Sequence, residues 1–371
     1  SRRQRQMCIR DSFYTIRNVV KSMSILDQAL LSMLDEQIAS GSLTNEEAMR
    51  SLPSLHVPVV DNSLCTAYSA DLLRAAVFNI ERGQRLPEIL AYLKYHPLLR
   101  EADVIFANEL DYGMCRTGNR DITREIAEAT GMNYAYGIEF IELSSGTGQN
   151  TESLHGNAIF SRFPLENVKV IPLPLVFDWY FSSQHRIGAR SAIFSTITVC
   201  GKKVGLICVH LENRTTPKKR CVQFASLSRE IHTHFGDEMP LLIGGDMNTN
   251  TIDGDNDAEM AALARAPAEQ QRRLCHTPAY EPMLELAAQM GFSYRSCNLM
   301  RKHTRRKPMK GSDPVLLNLD WFFERGLTCS SPQVVNTIFH TAALDNPPPD
   351  LQGFEGRELS DHNAVTIRCR L

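Results

Sequence analysis

The chain has 371 residues, 43% of them hydrophobic and 22% charged, with a net charge of −2. These proportions exclude a disordered or collagen-like chain and leave room for one large domain plus an appendage, or for two domains. No apolar run is long enough for a membrane-spanning helix, and the balance of charge excludes capture of nucleic acid by bulk charge, though not by a local basic patch.

The first residues, SRRQRQMCIRDS, are polar and basic with no apolar stretch behind them. No secretory signal is visible, so the expectation is a cytoplasmic protein. Ile25-Leu26, Leu30-Leu31, Leu34 and Ile38 recur at helical spacing up to Gly41. Thr44-Asn45-Glu46-Glu47 then predicts a capping box before Ala48, Met49 and Leu52. Pro53 and Pro58 close this helical hairpin. Residues 1–70 therefore read as a helical appendage and linker, and 71–371 as the main domain.

From Asp71 onward strands and helices alternate. β-type runs are predicted at Ala75–Phe78, Val104–Ala107, Ala158–Phe160, Ala192–Val199, Val204–Val209, Leu241–Ile243, Val315–Leu319 and Ala364–Ile367. Helices are predicted at Leu86–Lys94, Ile122–Thr130, Val222–Phe235 and Tyr280–Met290, with insertions at 253–281 and 300–314. Many strands with few helices predict an α/β fold of two packed sheets flanked by helices. The ten cysteines form no CxxC pair, which argues against a zinc ribbon, and several read as small core residues.

The chemistry concentrates at the strand ends. Phe78 leads into Asn79-Ile80-Glu81, where Asn79 and Glu81, two apart, share a face of an extended chain. Ala107 leads into Asn108-Glu109, Val209 into His210, Gly245 into Asp246-Met247-Asn248, and Leu319 into Asp320. Ser360-Asp361-His362 precedes the last strand, so an antiparallel course brings it to the same rim. Clustered carboxylates raise one another's pKa unless a cation neutralises them, and oxygen donors without cysteine suit magnesium or manganese. A hard cation with open water positions is a usual device for polarising phosphate esters.

Taken in order, Phe78-Asn79-Ile80-Glu81, Asn108-Glu109, His155-Gly-Asn-Ala-Ile-Phe-Ser-Arg162, Val209-His210-Leu211, Gly245-Asp246-Met-Asn248, Leu319-Asp320 and Ser360-Asp361-His362 resemble the endonuclease/exonuclease/phosphatase superfamily, the deoxyribonuclease-I-like phosphoesterases. The resemblance spans about residues 71–371. It implies a four-layer α/β sandwich, two mixed sheets face to face with helices outside. It implies catalytic roles for His210, Asp246, Asp320 and His362, substrate contacts at Asn79, Arg190 and Asn248, and metal ligation by Glu109, Glu81 and Asp361. Asp246 would orient or deprotonate the attacking water, and Asp320 would fix the His362 tautomer. Glu139 is the suggested partner of His210. The implied cofactor is Mg2+ or Mn2+. The implied substrate is a phosphodiester, nucleic acid first, with an inositol phosphate or sphingomyelin head group as the alternative and a non-catalytic binding module as a third reading.

Three secondary signals remain open at this point. Arg301-Lys302-His303-Thr304-Arg305-Arg306-Lys307 is either a solvated loop or a clamp on a polyanion. Phe177-Asp178-Trp179-Tyr180-Phe181 packs in the core, walls a pocket or meets lipid. His155 is either a substrate contact or a turn histidine.

Overall fold

A computed structural model describes residues 27–143 and 149–371. Ile25, Leu26, Cys8 and the basic first residues lie outside the described residues. The strands are β1 Val59–Asp61, β2 Leu73–Arg82, β3 Val104–Tyr112, β4 Asn133–Glu142, β5 Leu154–Ser161, β6 Glu166–Pro172, β7 Arg186–Gly188, β8 Ser191–Val199, β9 Lys202–His210, β10 Leu241–Asp246, β11 Arg305–Met309, β12 Ser312–Leu317, β13 Asp320–Arg325, β14 Thr328–Val335 and β15 Ala364–Arg370.

Two mixed sheets carry the domain. One runs β1-β4-β5-β3-β2-β15-β14, with β7 also on β4, and the other runs β13-β10-β9-β8-β6. Strict alternation sorts the side chains. Along β2, Leu73, Ala75 and Val77 enter the core between the sheets, while Ala76, Phe78 and Ile80 face the outer layer. Along β9, Val204, Leu206 and Cys208 face the partner sheet, and Ile207 and Val209 face outward. The outward face of the first sheet is covered by α1 Gln28–Ala39, α2 Asn45–Ser51, α3 Leu86–Tyr95, the short α4 Pro97–Arg100 and α5 Ile122–Thr130. That of the second is covered by α6 Pro217–Phe235 and, beyond α7 Asp257–Ala264 and α8 Pro267–Cys275, by α9 Pro282–Gln289. The four-layer α/β sandwich is as expected.

The two sheets pack tightly against each other at Gly244, behind the chemical rim. A Cβ on Gly244 would lie 2.6 Å from the Phe106 ring and 2.9 Å from Val77 on the facing sheet. Only glycine fits there without driving the sheets apart.

Four local expectations are revised. β1 lies inside the segment read as linker and pairs antiparallel with β4. Val315–Leu319 is not one strand ending in Asp320. β12 closes a hairpin with β11, and β13 begins at Asp320. The insertion at 253–281 holds α7 and α8, and 300–314 supplies much of the β11–β12 hairpin. β4 went unpredicted although all its residues are buried, because Gly137 and Glu139 interrupt its apolar pattern.

The chain entering α7 is clamped by a buried ion pair. Arg220, on α6, reaches Glu281 at 2.6 Å and also donates to the carbonyls of Thr215 (2.6 Å) and Ile252 (3.1 Å). Glu281 in turn accepts from the Thr251 amide at 2.7 Å. Removing one partner strands the other charge, so Glu281→Ala is expected to cost about 3–5 kcal/mol. Urea denaturation checks this, and a loss under about 1 kcal/mol would show that the pair is dispensable.

Candidate active site

Topology gathers the rim. β2 and β3 are parallel, as are β9 and β10, so Asn79 pairs with Asn108 and Asp246 with His210 at matched strand ends. β13 runs antiparallel to β10 with Asp246 opposite Asp320. β15 is antiparallel to β2, which brings Ser360-Asp361-His362 to the same end. Asp320 therefore reaches the rim from a strand start rather than a strand end.

Asp246 is the hub, at 1% exposure. Its Oδ2 accepts from Asn79 Nδ2 at 3.0 Å, and its Oδ1 from the Asn248 amide at 2.8 Å. The Nε2 atoms of His210 and His362 each lie 3.7 Å from Oδ2. Asn108 joins the sheets behind it, accepting from the Asp246 amide (2.8 Å) and donating to Asn157 Oδ1 (3.0 Å).

His362 Nδ1 bonds Asp320 Oδ2 at 2.9 Å. Burial opposes a charged imidazole, but the charges of Asp320, Asp246 and Asp361 outweigh it and push His362 up to about 9. His362 is thus an imidazolium at neutral pH with Nε2 turned to the hub. Thr304 Oγ1 accepts from the Asp320 amide at 3.0 Å, and Ser360 Oγ accepts from the His362 amide at 3.0 Å.

His210 is held by a second set. Its Nδ1 is 3.2 Å from Glu139 Oε2 and 2.9 Å from Arg190 Nη1, and its Nε2 makes no hydrogen bond among the described residues. Arg190, expected to touch phosphate, spends Nη1 on Glu139 (3.0 Å) and His210 and is only 5% exposed. Its place here is behind His210. Asn248, expected on a phosphate oxygen, donates to the Leu211 carbonyl at 2.9 Å.

Glu109 depends on a bulge. Ala107 faces the helices and Asn108 the partner sheet, so regular alternation would send Glu109 outward. A left-handed residue (φ 58) and a register shift after Ala107 re-aim it. Its carboxylate accepts from Asn79 Nδ2 at 3.3 Å. Burial disfavours its charge, yet Arg82, His155, His210 and Arg190 hold it well below the usual carboxylate range.

Glu81 does not share Asn79's face by simple alternation, because the chain turns left-handed at Glu81 (φ 46) and Arg82 (φ 67). It still reaches the rim, accepting from the Asp361 amide at 3.2 Å. Burial, and then the Asp361 charge, push its pKa up. Asp361 Oδ2 accepts from Arg305 Nε at 3.1 Å and Nη2 at 2.8 Å. Arg305 was not anticipated as a site residue; within its basic run nothing distinguished it from its neighbours.

The atoms of Asp246, Asp320 and His362 lie within 4.8 Å of one another, close enough for a metal ion. His362 Nδ1 is already held by Asp320 Oδ2 at 2.9 Å, so the three residues also form a hydrogen-bonded acid–histidine–acid set. The donors suited to a hard cation are Glu109, with one neutral hydrogen bond, and Glu81, whose repulsion with Asp361 a cation would relieve.

The aromatic segment forms one wall. Trp179 Nε1 donates to Glu212 Oε2 at 2.7 Å, which stands 3.5 Å from Arg190 Nε. The α1–α2 pair braces this wall: Asn45 donates to Asp178 Oδ1 at 2.8 Å, and Tyr180 donates to Asp35 Oδ1 at 2.6 Å. Asn45→Ala is expected to destabilise the fold by about 1–3 kcal/mol, since buried partners lose their bonds. An unchanged melting temperature would count against that bracing. His155 is neither in a turn nor open to the cleft; it lies on β5 bonded to Asp111 at 2.9 Å.

The chain has the endonuclease/exonuclease/phosphatase fold. An endonuclease/exonuclease/phosphatase from Beutenbergia cavernae superposes with a TM-score of 0.52 at 16% identity, over 81% of this chain and 72% of that one. A mannosyl-6-phosphatase from Bacteroides thetaiotaomicron gives 0.49 at 15% identity over 81% and 100%, and a Neisseria 3′ phosphatase gives 0.47 at 17% over 80% and 98%. No family model and no curated protein matches the sequence.

Proposed function

We propose that the chain is a divalent-metal-dependent phosphoesterase that hydrolyses phosphodiester bonds, nucleic acid first. The observation that carries this reading is the convergence of two imidazole Nε2 atoms, each 3.7 Å from one oxygen of Asp246, beside the ionised Glu109. Glu109 and Glu81 would hold Mg2+ or Mn2+, which supplies polarisation of the phosphoryl oxygens. Asp246 orients the attacking water and takes its proton, held in place by Asn79 and the Asn248 amide. The His362 imidazolium donates to a phosphoryl oxygen, and His210 is placed to protonate the leaving oxygen.

The lipid alternative needs an exposed apolar patch. Trp179 and Tyr180 are buried, and Phe181 stands alone at 73% exposure, so the segment offers no such patch. Two arginines of the basic run are spent within the chain: Arg306 bonds Glu358 at 2.7 Å and the Ser360 carbonyl at 2.8 Å, and Arg305 holds Asp361, while Arg301, Lys302 and Lys310 are exposed. Among the described residues no helix is long and apolar enough to cross a membrane.

The test is hydrolysis of a panel with magnesium or manganese: single- and double-stranded DNA, RNA, sphingomyelin, an inositol polyphosphate and bis-p-nitrophenyl phosphate. Cleavage that EDTA abolishes and that an Asp246→Ala, His362→Ala double variant lacks is the expected result. Turnover of no member would defeat the enzymatic reading.

A further inference from the structure

The stretch His155–Arg162 holds an asparagine that the proposed chemistry does not use. Asn157 lies on β5 and is fully buried. By alternation it faces the partner sheet together with Ile159, a core residue two positions on. An apolar side chain is the usual occupant of such a place. Its Nδ2, moreover, makes no hydrogen bond among the described residues. A buried amide with an unpaired donor is a poor choice for stability alone.

Its oxygen has two partners, and both belong to the bulge of β3. The register of β3 on β5 runs from Ala107↔Ala158 to Leu110↔Gly156, so Asn108 and Glu109 together stand opposite the single residue Asn157. Two residues against one is the count of a β-bulge, and it takes the extra residue out of the ladder. Asn157 Oδ1 accepts from Asn108 Nδ2 at 3.0 Å and from the Glu109 backbone amide at 3.4 Å. A side chain thus takes up the amide that the ladder has released. Asn108 carries the tie to the other sheet, donating to the Val209 carbonyl at 3.2 Å and accepting from the Asp246 amide at 2.8 Å. One oxygen of Asn157 therefore links the backbone of Glu109 to that of Asp246 through a single intervening side chain.

We propose that Asn157 is a positioning residue of the site: it holds the bulge that aims Glu109 and fixes Glu109 relative to Asp246. This rests on the phosphoesterase reading, in which Glu109 holds the metal ion and Asp246 orients the water. Asn157 acts through Asn108 and Glu109.

The test compares Asn157→Leu, which removes the accepting oxygen, with Asn157→Asp, which keeps it. Asn133→Leu is the control. Asn133 is an equally buried asparagine at the start of β4, bonded to the amide (2.9 Å) and carbonyl (2.7 Å) of Cys65. In Asn157→Leu, calorimetric Mn2+ affinity should fall by about 10–100-fold, the usual effect of losing a group that orients a metal ligand. The turnover number should fall by a similar factor with KM within a few fold, and amide hydrogen exchange over residues 104–112 should quicken. Asn157→Asp should recover most of the Mn2+ affinity. Asn133→Leu should melt earlier but keep both Mn2+ affinity and slow exchange in that segment. Wild-type affinity and exchange in Asn157→Leu, or an equal loss of affinity in Asn133→Leu, overturns the proposal. If Asn157→Leu does not fold, Asn157→Ala takes its place. If wild type binds no Mn2+ and cleaves nothing, the phosphoesterase reading fails separately. Exchange in residues 104–112 then decides by itself whether Asn157 holds the bulge.

Discussion

Asp246→Asn is expected to lower kcat by about a thousandfold while leaving KM within a few fold, the size of a lost general base or charge stabiliser. The substitution keeps the shape of the side chain but removes its charge. Asp246 now accepts on both oxygens, from Asn79 Nδ2 and from the Asn248 amide. An amide can accept on only one side, so its NH2 would face one of those donors. A stability loss of about 1–3 kcal/mol should accompany the variant for that reason. Measuring urea denaturation beside steady-state kinetics separates the two effects. A kcat within tenfold of wild type would reduce Asp246 to a structural staple between the sheets.

The second large effect concerns pH. His362 has its folded pKa raised to about 9 by three acids. Its charge is therefore complete at neutral pH, and activity should fall as pH rises through about 9. Stability follows the same sign: the contribution is full below the unfolded histidine value near 6.5 and is lost as pH rises through about 9. Asp320→Asn removes the nearest of the three charges, at 2.9 Å. The alkaline limb should then move to lower pH, and kcat at neutral pH should drop by roughly 10²–10⁴-fold, as in other acid–histidine pairs. A limb that stays near 9 in Asp320→Asn would assign it to another group.

Much of the fold follows from alternation. Strands such as β9 are legible because every second residue serves a different layer. β4 was not legible, because a glycine and the buried Glu139 break its apolar run. Yet Glu139 is buried there for a purpose, at 3.2 Å from His210. Asp320 was assigned the right rim from the wrong element. The motif Leu319-Asp320 reads the same whether a strand ends or begins there, and only the antiparallel pairing with β10 separates the two.

By itself the sequence determined the membership of the cluster: Asn79, Glu81, Glu109, His210, Asp246, Asp320, Asp361 and His362 are polar residues at strand boundaries, where a buried sandwich has no structural need of them. Local order and composition suffice for that. Partnership was decided only by tertiary structure. Bulges at Glu81 and Glu109 override the two-residue period, because a left-handed backbone redirects a side chain that alternation would send elsewhere. Arg305 was drawn to Asp361, and Arg190 to the back of His210, by charges distant in sequence. Glu142, opposite Arg186 in the β4–β7 register, pairs with Arg116 at 3.0 Å instead. Electrostatic pairing depends on distances of a few ångströms between segments up to a hundred or more residues apart, and no local pattern in the chain encodes those distances.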